Sequence, residues 1–232
     1  MAVAGPVPVT FRSRRLPART VAIMSLARTE RAALADLFAA VGPDQPTLCE
    51  GWQTRDLLTH LLIRERDPLG AVGTQLKPLH SFTEKAEQGY RSRPWTSMIE
   101  QYRAGPPAWN PTGWGPVDDL VNGNEMFIHH EDVRRGQPGW QPRELSEQDT
   151  AELAKSVTSP LSRLMVRKAP TGIVAHIPGH EPVVLRKGEP VVTLTGEPGE
   201  IVLWLSGRDE VELEFGGDPA AVGALRTLQR GF

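Results

Sequence analysis

The residues best equipped for chemistry are two histidines and a glutamate. Glu125 and His129 lie four apart in Asn124-Glu125-Met126-Phe127-Ile128-His129-His130-Glu131-Asp132, one turn apart on one helical face. The neighbouring His130 competes, but five residues from Glu125 is about 140° off that face. His60 sits within Leu57-Leu58-Thr59-His60-Leu61-Leu62-Ile63. Leu57 and Leu61 share its side of a helix, so its ring is expected to point inward. A carboxylate and an imidazole from one helix, with an imidazole from another, can chelate a divalent ion. Such a set leaves coordination positions open for a substrate, whereas structural zinc is normally closed by four protein ligands. Spacing alone leaves three rivals: a solvent-exposed Glu/His pair, a histidine satisfied in the core, or a buried hydrogen-bond cluster without an ion.

Other polar residues surround this set. Asp132 can hold a ligand histidine from behind or pair with Arg135. Asp56 falls in a first helical turn, where negative charge suits the helix dipole. Trp52 reads as a core or helix-entry residue. Cys49 is the one cysteine, so no internal disulfide forms, which fits a reducing compartment. Its thiol is a tempting nucleophile. Arg208 follows a tight Ser206-Gly207 turn and could reach the cleft to bind an anion; Arg226 competes for that role. His80, His176 and His180 show no ligand spacing. His176 and His180 flank Ile177-Pro178-Gly179, a turn between strands.

The elements that must position these residues follow from periodicity and turn chemistry. Apolar residues at helical spacing predict a helix over 25–41, capped by Ser25 and ended by Gly42-Pro43. A second is predicted from Thr54, as its cap, to Pro68. Residues 69–80 are a further helical piece or a loop. Shorter helices are predicted over 82–90 and 96–104. A Pro/Gly/Trp-rich connection covers 104–116, and a main helix covers 117–135. After 142 the pattern changes. A helix is expected over 147–167. Strands are expected at GIVAHIP, PVVTLTG, EIVLWLSG and the alternating VELEFGG. A last helix follows, with Asp218 as cap and Pro219 first. The expected divisions are 1–23, an arginine-rich tail or mis-assigned start before Met24; 24–142, a helical bundle; and 143–232, a small α+β unit. Residues 1–23 contain no acidic residue and no long apolar stretch, so they make a poor secretory signal. The net charge is −2, which favours neither nucleic acid nor an anionic membrane as partner. No apolar run approaches the ~20 residues needed to span a bilayer.

Two motifs carry a family resemblance. Cys49-Glu50-Gly51-Trp52, Thr54-Arg55-Asp56-Leu57-Leu58 and His60-Leu61 resemble the signature of the DinB-like superfamily. The closer likeness is to the actinobacterial branch with mycothiol-dependent maleylpyruvate isomerase. Glu125-Met126-Phe127-Ile128-His129, followed by Asp132-Val133-Arg134, resembles that branch's second motif. Segments 195–200, 203–208 and 217–219 resemble its sterol-carrier-like accessory domain. The resemblance implies an α+β protein: a DinB-like four-helix bundle followed by a small α+β domain. It implies that His60, Glu125 and His129 bind a divalent metal, usually zinc, with nickel a second choice. It also implies that Cys49 is a loop residue rather than a nucleophile. It further implies mycothiol as a small-molecule thiol partner, an electrophilic substrate, and an accessory-domain arginine (Arg208 or Arg226) in catalysis. The expectation is a cytoplasmic thiol transferase or isomerase, monomeric or homodimeric. The alternative is a metal- or ligand-binding protein of the same fold without turnover.

Overall fold

The computed structural model describes residues 25–67, 80–110 and 114–230. The tail expected at 1–23 and the helix or loop expected from 69 lie outside them. The N-terminal half is helical: α1 (Leu26–Val41), α2 (Thr54–Arg66), α3 (His80–Arg91), α4 (Trp95–Arg103) and α5 (Gly115–Arg135). The C-terminal half adds α6 (Glu147–Thr158), α7 (Pro160–Met165), β1 (Gly172–His176), β2 (Val183–Arg186), β3 (Val191–Thr195), α8 (Pro198–Leu205), β4 (Glu214–Gly216) and α9 (Pro219–Arg226). The fold is α+β, as expected.

Leu34 and Phe38 of α1, Leu57, Leu58, Leu61 and Leu62 of α2, Met98 and Tyr102 of α4, and Met126 and Val133 of α5 form one buried core. Helix α3 adds Ala86 and Tyr90. A second core joins Leu153 and Val157 of α6, Ile173 and Leu194 of the sheet and Ile201–Leu205 of α8. Leu26 of α1 and Phe127 and Ile128 of α5 belong to this second core. Helix α5 therefore faces both, and every residue from 126 to 133 is buried.

The sheet runs β2-β1-β3-β4, with β1 and β3 parallel and both outer strands antiparallel to their neighbours. His176 ends β1, and the turn to β2 includes a bond from His180 N–H to Ile177 O. Asp218 caps α9 by accepting from the N–H groups of Ala220 and Ala221.

Several local expectations need correction. The run EIVLWLSG is helix α8, not a strand. Pro198 occupies its first turn, where a missing N–H costs nothing. All eight residues are buried, so no polar side is left to reveal a helical period. The helix expected over 147–167 breaks at Ser159-Pro160. A residue before proline is pushed to extended backbone; Ser159 sits at φ −69° and ψ 156°, then caps α7 by accepting from Ser162 N–H. Strand β2 was not expected. Ser25 makes no side-chain capping bond, although its carbonyl accepts from Arg28 and Thr29. Thr54 is the first residue of α2 rather than its cap. Its hydroxyl donates to Gly42 O at 2.6 Å, and Asp56 accepts from the N–H of the cap residue Gln53 at 3.0 Å.

Candidate metal and thiol site

The Cys49 loop is drawn onto α5 by its backbone. Leu48 N–H donates to Asp132 O at 3.0 Å, and the Gln137 amide donates to Pro46 O at 3.0 Å. Gly51 supplies φ 75° for the turn closed by Trp52 N–H on Cys49 O, a left-handed conformation suited to glycine. This turn feeds straight into α2 and carries Trp52 back over His60, with ring centroids 5.2 Å apart. Trp52 is 37% exposed, so it is neither a core residue nor a buried staple.

His60, Glu125 and His129 converge. One donor atom from each lies within 4.8 Å of the others. The two imidazole centroids are 5.7 Å apart, edge to face, and His129 Nε2 is 3.2 Å from Glu125 Oε1. Behind His129, Nδ1 lies 2.8 Å from Asp132 Oδ2. Asp132 is fully buried and accepts from Arg208 at both oxygens, Nε to Oδ1 at 2.8 Å and Nη2 to Oδ2 at 2.6 Å. The Cys49 thiol donates to the same Oδ2 at 3.2 Å. Gly207, with φ 92°, turns the chain after α8. The third guanidinium nitrogen of Arg208 donates to Ser206 O.

The electrostatics follow from this packing. Burial, reinforced by His129, lowers the His60 pKa to about 4, so this ring is neutral at pH 7 with a lone pair to offer. Burial opposes charge on His129, yet its bonds to Asp132, Cys49 and Glu125 outweigh that and raise its pKa well above 6.5. Burial likewise opposes charge on Glu125, but the His129 bond and the Arg64 cation prevail and hold it at about 2. Arg64 Nε stands 3.6 Å from Glu125. Asp132 is held below its usual value against its own burial by His129 and Arg208.

A second triplet, Cys49, His129 and Asp132, is equally close-set. Its carboxylate is already saturated by Arg208 and His129, however, whereas His60 makes no hydrogen bond among the described residues. The first triplet is the better donor set. Asp132 serves His129 and Arg208, not Arg135, which pairs with Glu131 and Glu200. His130 points away, bonding Glu30 at 2.7 Å. Of the two candidate arginines, Arg208 is brought to the cluster; Arg226 lies on α9 over the Phe215 ring. Sequence reasoning undervalued Cys49 and Trp52 and passed over Arg64. Arg64 had a legible signal, being four residues after His60 on the same face of α2.

Comparison with known proteins bears on the fold. Residues 27–111 match the model of the mycothiol maleylpyruvate isomerase N-terminal domain. That match spans helices α1 to α4. The matched segment contains Cys49 and His60 and ends before Glu125. Crystal structures of the mycothiol-dependent maleylpyruvate isomerase and of a histidine-to-alanine mutant share the fold. Each has a TM-score of 0.56 and covers 82% of this chain and 90% of that chain, at 15% and 16% identity respectively. No curated protein matches the sequence significantly. No described helix is long and apolar enough to cross a membrane.

Proposed function

We propose that this protein is a divalent-metal-dependent thiol transferase or isomerase that uses mycothiol on a small electrophilic substrate. The observation that carries the reading is the meeting of His60, Glu125 and His129 within 4.8 Å, two imidazoles and a carboxylate with no fourth protein ligand in the set. That composition suits zinc, with nickel as the second candidate. The match of residues 27–111 to a mycothiol isomerase domain supports the thiol.

The residues fit an ion on chemical grounds. His60 is already neutral, and Asp132 holds Nδ1 of His129, which turns Nε2 toward Glu125 and His60. A bound divalent ion supplies Lewis acidity that keeps a thiol ionised at neutral pH. Glu125 and the histidines would hold it. Trp52 packs its ring against His60. Arg208 keeps Asp132 charged, and so fixes the orientation of His129. In this arrangement Arg208 is a positioning residue, since all three of its nitrogens are engaged.

The test is elemental analysis of the purified wild type beside His60→Ala and Glu125→Ala. The expected result is about one equivalent of zinc or nickel, lost in both variants, followed by turnover of a model electrophile only when mycothiol is present. Metal bound without any turnover would favour a binding protein. No metal, and no uptake on reconstitution, would sink the reading.

A further inference from the structure

We infer that the groove between α7 and β2 is a binding site for a phosphate-bearing anion. Strand β2 is one edge of the sheet, and its groove with α7 encloses about 460 Å³. The lining is Arg163, Arg167, Val184, Leu185, Arg186 and Lys187. Four cations therefore line one concavity, and among the described residues no acidic one joins them, in a chain whose net charge is −2.

The charges are not spent elsewhere. Among the described residues, no carboxylate pairs with any of the four. Arg186, half-buried, is held by backbone carbonyls alone: Nη1 donates to Thr171 O at 2.7 Å and Nε to Arg167 O at 3.4 Å. Carbonyls orient a guanidinium without neutralising it. Nη2 is left for a ligand, with Arg163, Arg167 and Lys187 around it. Like charges gathered on a concave surface repel one another, and a multivalent anion offsets that repulsion. Guanidinium groups match phosphate oxygens in geometry as well as charge. The groove holds more than a bare phosphate, so the ligand carries the phosphate on a larger body.

That body has two sources, a soluble phosphorylated molecule or a phospholipid headgroup. Leu161 and Leu164, three apart on α7, are 47% and 43% exposed, and Val184 is 46% exposed. Val184 and Leu185 line the groove itself, and Leu161 and Leu164 flank Arg163 along α7; such apolar surface suits either.

The probe is inorganic pyrophosphate, titrated calorimetrically into the full chain at low salt. Saturable one-site binding is expected, weakened at least tenfold in Arg163→Gln/Arg167→Gln and reduced by added salt. It should persist in His60→Ala, which separates this groove from any ion at the other site and makes the test independent of the proposed catalysis. An unchanged melting temperature shows that the double variant folds. A second arm mixes the protein with phosphatidylglycerol or phosphatidylcholine vesicles. Retention on phosphatidylglycerol alone, lost in the double variant and in Leu161→Ser, identifies a lipid headgroup as the anion. Pyrophosphate binding without vesicle retention identifies a soluble one. If neither probe binds, or if the double variant binds pyrophosphate as tightly as wild type, the groove is only a solvated cationic surface and the proposal fails.

Discussion

At His129 a proton occupies the place of a cation's charge. The ring lies between Glu125 and Asp132, and those acceptors hold its pKa well above 6.5. A metal can take Nε2 only when that proton leaves. Metal uptake at pH 7 should therefore release a proton, read as a binding enthalpy that varies with the ionisation enthalpy of the buffer. Apparent affinity should rise about tenfold per pH unit up to the raised pKa of His129. In the metal-free protein the sign for stability is opposite. The charged ring's contribution is complete below its unfolded pKa of about 6.5 and is lost as pH rises through the folded value. Asp132→Asn removes the charge behind the ring, and should lower metal affinity about 10–100-fold while leaving all three ligands in place. A metal titration that gives equal affinity for wild type and Asp132→Asn would leave Asp132 without this role. The i,i+4 spacing made Glu125 and His129 legible in sequence, and the apolar neighbours of His60 gave its inward direction. The choice of Arg208 over Arg226 was not legible, because it depends on where the turn after α8 meets α5.

At the scale of elements, α5 carries the chemistry and also joins the two cores. Glu131 and Arg135, one turn apart, connect it to both sides. Arg135 donates to Glu131 and Glu200, at 2.7 and 2.6 Å, and Arg143 ties Glu131 to Glu30 of α1. Glu200→Ala leaves Arg135 with Glu131 but strips two charge-assisted bonds from a buried guanidinium, which is costly where water cannot replace them. Glu200→Ala should therefore cost about 3 kcal/mol in denaturant unfolding; a loss within experimental error would show that water replaces the pair. Gly136, just past α5, is equally constrained. A Cβ there would meet Pro46 O at 2.5 Å and Thr47 Cα at 2.8 Å, both backbone. Gly136→Ala should cost about 1–3 kcal/mol and loosen the Cys49 loop from Asp132. Thermal melting and the rate of Cys49 alkylation read the two effects separately. The amphipathic helices were readable because one face of each meets solvent. Helix α8 was not, since burial on all sides erases the period. Strand β2, only four residues at the sheet edge, is too short to show one.

Across the whole molecule, the division proposed at 142 separates residues that act together. The bundle 24–142 contains all three candidate ligands, so sequence reasoning could assign the metal to it alone. Yet Arg208, which holds Asp132 by both oxygens, comes from beyond that boundary. So does Glu200, the partner of Arg135. Phe127 and Ile128, on the same helix as Glu125 and His129, are buried in the C-terminal core. A fragment ending at 142 would expose these two side chains, leaving Asp132 without Arg208 and Arg135 without Glu200. It should fold less cooperatively than the full chain, bind a fluorescent apolar dye, and take up metal at least about tenfold more weakly, as expected when the shell behind a ligand is lost. The full chain with Arg208→Ala separates the causes. If it reproduces the affinity loss but not the dye binding, Arg208 alone links the second half to the site. If the fragment binds metal as tightly as the full chain, the bundle is self-sufficient and the C-terminal half serves the substrate rather than the ion.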